Sequence, residues 1–388
     1  ARAAEQEAMQ ESLGDECGNQ VKVFVTRDGL EYLDCPTLSG LLNLAESTVQ
    51  QLVSGGGLQL RNNGQTATYI PASGGLYFYG QAPTNIYSDM NVYWLGSGRN
   101  PSPRTVSLKA PAPVSTSLTF ADRIHAEQDR LATPAFFTDP EADAWMWGYL
   151  FGGFAGFDRM IVTTRVSGVA SAGTATLVVR LFGGSSSGAS PEHHVAVSVN
   201  GTPVGECAWA GLNPCELSVS FSQALLTEGD NFFEVRALLD AGVPYSIVYL
   251  DDVDLGYRRL YRAAGNQLLF RRDANKVVTV SGFTSPAISV YDLSKPLSPA
   301  LVQGVRIDGG EGNYRVSLAP PSSTANYLAF TPDSVAAARA AAARPPCGLT
   351  SCSNRADYVI ITVSELERAA QALADYRGAQ GHESRIVN

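Results

Sequence analysis

The chain is short of charge. Asp, Glu, Lys and Arg together make up 17% of its 388 residues, below the roughly 25% usual in soluble domains. It also lacks a basic surplus: 28 Lys and Arg stand against 37 Asp and Glu, a net charge of −9. A phosphate backbone is therefore repelled on average, and nucleic-acid binding is excluded. No long hydrophobic run occurs. The longest, residues 145–157, is broken by glycines and falls short of the roughly 20 residues a membrane-crossing helix needs. Residues 1–10 carry no basic stretch followed by an apolar one, so a signal peptide is expected to have been removed or to lie upstream.

Motifs that carry chemistry are equally scarce. There is no CxxC and no Lys-Ser/Thr after the glycines of GGLYFYG, which argues against a zinc ribbon and a phosphate-cradling loop, and the glycine–serine run from Gly183 to Gly188 reads as a flexible strand connector in preference to a nucleophile elbow. The four histidines are His125, His193, His194 and His382. None lies beside a cysteine in sequence, so no Cys–His nucleophile pair is expected inside this chain.

What is present is a β texture. Apolar residues reach 45%, with 37 Gly and 21 Pro, enough for real cores punctuated by turns, and the length predicts two to four domains at roughly 100–200 residues each. The fold class expected is mainly β and multidomain: antiparallel sandwich or jelly-roll modules followed by the start of an α/β unit. The divisions read as 1–110, a β-rich domain with one short helix; 111–262, a β-sandwich; 263–345, a small β domain with a linker helix; and 346–388, an incomplete α/β segment.

Within the first division, Asp28-Gly29 and Asn63-Gly64 are hairpin signals, and the apolar spacing of residues 38–53 predicts a single helix ending at Gly55-Gly56-Gly57. Residues 98–113, with four prolines, read as a linker. In the second division six alternating segments are separated by turns, the clearest being Asn200-Gly201. In the third, SVAAARAAAAR predicts a short helix broken by Pro345-Pro346. The last stretch, YVIITVSELERAAQALADYRGAQGHESRIVN, reads as a buried strand, an amphipathic helix ending at Gly381 and the beginning of another strand. One such unit cannot cover both faces of a parallel sheet, so the sequence is expected to stop in mid-domain, with the remainder of that domain or a second chain completing the sheet.

Six cysteines fall into three local pairs, Cys17 with Cys35, Cys207 with Cys215 and Cys347 with Cys352, each bracketing a turn-rich segment. Three disulfides are the favoured reading and imply an oxidising compartment, secreted or at the cell surface; free buried thiols and zinc are the alternatives. Asp251, Asp252 and Asp254 offer a composition suited to calcium. Strand alternation would send Asp252 and Asp254 to one face and Asp251 to the other, so structural calcium is a minor reading and no other cofactor is expected. His193-His194 opens a strand and reads as structural. The aromatics Trp145, Trp147, Tyr149, Phe151, Phe154 and Phe157, flanked by Glu141, Asp143 and Asp158, read as core in preference to a carbohydrate site. The run Arg258, Arg259, Arg262, Arg271, Arg272 reads as a solvated face.

The final segment, YVIITVSELERAAQALADYRGAQGHESRIV, resembles the first strand and helix of gingipain-type cysteine peptidases (family C25). GLYFYGQAPTNIYSDMNVYWL, HHVAVSVNGTPVG, YLDDVDLGYRRLY and YDLSKPLSPALV resemble the β-rich region preceding such domains. The resemblance implies a caspase-like α/β peptidase whose catalytic His and Cys lie beyond residue 388, so it assigns no catalytic residue here. It implies instead a pro-region or accessory β region of a secreted peptidase acting on protein or peptide substrates, this chain alone being inactive. The alternative is a cell-surface adhesion or assembly protein with a degenerate peptidase-like segment.

Overall fold

The computed structural model describes residues 19–83, 88–108, 118–134, 143–272, 277–320, 322, 324–343 and 354–387. Cys17, Cys347, Cys352, Glu141 and residues 1–10 lie outside the described residues. As expected, the chain is mainly β and built from several antiparallel sheets.

The sandwich follows from strands whose alternate residues are apolar. One sheet runs Gly148–Phe151, Ile247–Leu260, Thr174–Gly183, Pro214–Ser222, with Thr119–Glu127 along the far half of Ile247–Leu260. The other runs Arg159–Val166, Gly229–Leu238, His193–Val199, Thr202–Trp209. Leu177, Val179 and Leu181 from the first sheet pack with Val195, Val197, Phe233 and Val235 from the second. Burying each such side chain stabilises the fold by about 1.5–3 kcal/mol. Asn200 and Gly201 have φ of 48° and 83°, the left-handed pair that a two-residue hairpin turn requires.

Residues on either side of the sandwich in sequence interleave. Gln20–Val25 lies between Asn91–Ser97 and Arg339–Ala343, and Gly29–Asp34 lies between Gly75–Gly80 and Ala336–Ala337. Arg104–Ser107 joins the sheet Gln267–Arg271, Asn326–Phe330, Ser289–Asp292, Ala300–Gln303 as its edge. That sheet packs through Leu268, Phe270, Val290 and Tyr327 against Val280, Phe283 and Val316 of the three-stranded sheet Val278–Phe283, Asn313–Leu318, Arg306–Gly310. Arg104 Nη1 donates to the Ser298 carbonyl at 2.9 Å.

Four local expectations are overturned. Alanine-rich 336–343 forms strands, because pairing along Gln20–Phe24 and Glu31–Tyr32 outweighs a per-residue helix preference of a few tenths of a kcal/mol. Residues 104–107 form a strand in the stretch read as linker, paired in parallel with Ala300–Gln303. The single helix is two, Cys35–Leu42 and Glu46–Gly55: Asp34 caps the first, accepting from Thr37 N at 2.6 Å, and Asn43 ends it in the left-handed region. Asp28-Gly29 is no hairpin. The strands beside it belong to different sheets, and neither residue adopts positive φ.

Candidate functional site

The densest cluster of charge lies on the outer face of the sandwich, and strand register builds it. Thr119–Glu127 presents Arg123, His125 and Glu127 on one side, opposite Gly256, Asp254 and Asp252 of the neighbouring strand. Between Val179 and Leu181 the next pairing slips, Val179 facing Val253 and Leu181 facing Leu250. This bulge places Arg180 against both aspartates: Nη1 donates to Asp252 Oδ1 at 2.6 Å and to Asp254 Oδ2 at 2.9 Å. Arg123 grips Asp254 through two nitrogens, Nε at 2.9 Å and Nη2. His125 Nδ1 lies 3.0 Å from Asp254 Oδ1, and its Nε2 lies 2.9 Å from Glu127 Oε2.

Electrostatics follows from this packing. Burial alone would raise the pKa of Asp254, but hydrogen bonds from Arg123, Arg180 and His125 reverse that and hold it far below the ordinary carboxylate range. His125 is penalised by burial, yet Glu127 and Asp254 raise its pKa on balance. Asp251 sits in the bulge and, among the described residues, accepts no such hydrogen bond. Burial, then the charges of Asp252, Glu127 and Asp143, push it up to about 7. Asp252 and Asp254 share one side of the strand, as alternation predicts, while the bulge inserts an extra residue at Asp251-Asp252, a device that re-aims side chains.

Ligand atoms of His125, Asp252 and Asp254 come within 4.8 Å of one another, a spacing that suits one ion. Both aspartates already accept from guanidinium groups, so a cation would have to displace Arg180 and Arg123. The cluster fits an ion ladder across the sheet better than a metal or acid–base centre. The slip at Arg180 was not foreseen, although the adjacent charges Asp251-Asp252 inside a strand and the alternation Arg123, His125, Glu127 are its signals in sequence.

The remaining sequence-level candidates resolve individually. Cys207 and Cys215 face each other across the two sheets with sulfurs 3.2 Å apart, as thiols. Cys35 is buried as the first residue of the helix Cys35–Leu42. His193 is fully enclosed, Nδ1 2.8 Å from Ser246 Oγ and Nε2 3.2 Å from the Gly211 carbonyl; burial lowers its pKa. His194 bonds Asp240 at 3.0 Å at the surface. Of the aromatic run only Trp147 is buried. Trp145, Tyr149, Phe154 and Phe157 are exposed, a correction to the core reading: Trp145 and Tyr149 occupy the outward positions of the short strands Trp145–Met146 and Gly148–Phe151, and Phe154 and Phe157 lie in the loop that follows. Of the arginine run, Arg259 pairs with Asp122 at 2.9 Å, Arg258 donates to the Thr119 carbonyl, Arg271 to Asn326 and Arg272 to the Pro320 carbonyl.

The last described unit is a parallel pair, Tyr358–Ile361 with Ser384–Val387, joined by the helix Glu367–Ala379. Ala370 and Ala374, one turn apart, are the buried residues of that helix. Arg377 lies over the Tyr358 ring at 4.9 Å, which puts Tyr358 on the helix-covered face. By strand alternation Val359 and Ile361 share the other face. They are 55% and 84% exposed, and Val363 beyond them is 55% exposed. A parallel strand pair is ordinarily covered on both sides; here one side is apolar and bare.

No protein-family model matches the sequence, and no curated protein matches it. Among solved structures the chain is similar to dimeric latent PorU from Porphyromonas gingivalis: TM-score 0.68, 15% identity, 99% of this chain and 39% of that one. This likeness shows a related fold. The chain therefore spans well under half the length of PorU. A CBM36-1 domain of a multidomain xylanase from the hindgut metagenome of Trinervitermes trinervoides matches with 13% identity over 35% of this chain and 97% of that one. A carbohydrate-binding module CBM36 in complex with calcium and xylotriose matches with 15% identity over 34% and 98%. Both have TM-scores of 0.22 and carry no argument.

Proposed function

We propose that this chain is the non-catalytic, β-rich region that precedes the peptidase domain of a secreted gingipain-like cysteine endopeptidase, together with that domain's first strand, helix and second strand. The observation that carries this reading is the bare face of Val359 and Ile361. An α/β sheet begun by a strand–helix–strand unit with one uncovered face needs further elements to bury it. The fold likeness to 39% of PorU supports a chain that continues into more of such a domain. On this reading the catalytic His and Cys lie outside these 388 residues, and the partner is the rest of the sheet. Secretion rests on the three local cysteine pairs in the sequence. The alternative, a surface adhesion or assembly module, is favoured by one observation, the exposed Trp145, Tyr149, Phe154 and Phe157.

The test uses the chain and its parent polypeptide. The 388-residue chain should show no hydrolysis of peptide substrates that a thiol-directed inhibitor abolishes, and the parent should show it. Val359→Asp with Ile361→Asp should leave the unfolding of the chain alone nearly unchanged, since both residues are exposed there, and should abolish the parent's activity. Thiol-dependent hydrolysis by the chain alone, or a parent indifferent to both substitutions, would overturn the proposal.

A further inference from the structure

We propose an oxyanion site in the cleft between the end of the sandwich and the three-stranded sheet. It is independent of the peptidase reading. The cleft holds about 440 Å³, lined by Leu118, Leu260 and Tyr261 on one wall and by Thr279, Ser281 and Ser317 on the other. It adjoins a second opening along Gly282, Gly309, Gly310 and Asn313. Arg262 and Arg315 line both.

Charge accounting points to the ligand. In a chain carrying nine more acids than bases, arginines ordinarily find carboxylates. Arg259 has Asp122 and Arg180 has Asp252 and Asp254. Among the described residues, Arg262 and Arg315 form no ion pair. Asp308 is the one acid lining the cleft. It stands opposite Arg315 in register, but Arg306 Nε holds both of its oxygens at 2.9–3.0 Å. Two arginines with no carboxylate partner among the described residues thus line the same cleft as three hydroxyl side chains. Thr279 and Ser317 bond each other at 2.8 Å, and Ser281, whose backbone bridges Arg262 in parallel register, has its hydroxyl 3.5 Å from the Tyr261 carbonyl.

Paired planar guanidiniums match the two-oxygen edge of a carboxylate. The volume falls within the roughly 300–1,000 Å³ of small-ligand clefts, more than a single ion needs. The class of ligand is therefore a compound bearing two or more carboxylates, its charged end on Arg262 and Arg315 and its body against Leu118, Leu260 and Tyr261. The carboxylates come either from a free small acid or from the side chains of an acidic peptide.

Calorimetric titration of the full 388-residue chain with citrate, and separately with a glutamate-rich peptide, at constant ionic strength tests this. Saturable binding of at least one probe is expected. Arg262→Ala and Arg315→Ala should each weaken it about tenfold, the loss of one charge-assisted contact. Asp308→Asn should tighten it, and Arg165→Ala on the sandwich should leave it unchanged. Citrate alone binding identifies a free acid; the peptide alone binding identifies an acidic segment. No saturable binding of either probe, or equal binding by the Arg262→Ala, Arg315→Ala double variant, would overturn the assignment. Both arginines are exposed, so their removal does not endanger the fold.

Discussion

Arg180 bridges Asp252 and Asp254, two carboxylates on one strand that would otherwise repel each other, at 2.6 and 2.9 Å. Asp254 is buried while the guanidinium is partly exposed. Arg180→Leu should therefore cost about 2 kcal/mol in urea unfolding at pH 7, at the lower side of buried-pair values. Because the folded-state pKa of Asp254 is depressed, the stability it brings is fully present above the unfolded carboxylate value of about 4 and is lost as pH falls through its folded value. The gap between wild type and variant should narrow below about pH 4. A gap of equal size at pH 7 and pH 2 would mean that the ladder acts by packing alone.

Asp251 has the opposite sign. Its pKa is raised to about 7, first by burial and then by Asp252, Glu127 and Asp143. Its contribution is therefore fully present below about pH 4 and is lost as pH rises through about 7. Asp251→Asn should stabilise the protein at pH 8 by on the order of 1–2 kcal/mol, the full linkage value being reduced by solvent screening at this part-exposed site. At pH 4 it should change little. His125, also raised, loses its contribution in the same direction above about pH 6.5. The difference between the two proteins is accordingly the readout, rather than the wild-type curve. Equal stability of both at pH 8 would refute it.

How much was legible in advance depended on the distance over which each signal acts. Asn200-Gly201 and Asn63-Gly64 fix their own φ angles and turned as expected. The sandwich strands read correctly because alternation of Val, Leu and Phe is a local pattern with one buried face. The Ala336–Ala337 and Arg339–Ala343 strands did not: alanine favours helix locally, and only the open edges of Gly29–Asp34 and Gln20–Val25, more than 300 residues away, make them strands. The same holds at Arg180, whose two partners follow from a one-residue slip between strands that no property of Arg180 announces. The bare face at Val359 and Ile361 was legible, since a single strand–helix–strand unit has too few elements to cover itself.

Cys207 and Cys215 lie on edge strands of opposite sheets with sulfurs 3.2 Å apart. Treatment with oxidised glutathione should join them, the two thiols giving up two hydrogens and two electrons to the oxidant's disulfide. Burial, with Cys215 adding to it, pushes the Cys207 thiol far up, so the reaction should be slow at pH 7 and accelerate with pH. Closing so short a loop should stabilise the sandwich by about 2–3 kcal/mol, an increment absent from Cys207→Ser. Thiol counting on denatured protein before and after oxidation reads the outcome, and two thiols still titrating at this pair would exclude the bridge.

Ala341 and Ala342 give a direct test of the strand that residues 339–343 form. Ala341 faces Lys22 and Ala342 faces Val21 at the edge of a sheet. In an edge strand, successive N–H groups point alternately toward the neighbour and away from it. Proline at the inward position removes a ladder hydrogen bond, whereas proline at the outward one is tolerated. Ala341→Pro and Ala342→Pro should therefore differ, one costing about 3 kcal/mol and the other well under 1 kcal/mol. A helix would be broken by both. Lys22 is paired with Trp94 on its other side, its ammonium 4.8 Å from the indole. Trp94 fluorescence during urea unfolding consequently reports on this sheet, and equal costs for the two prolines would rule out the strand.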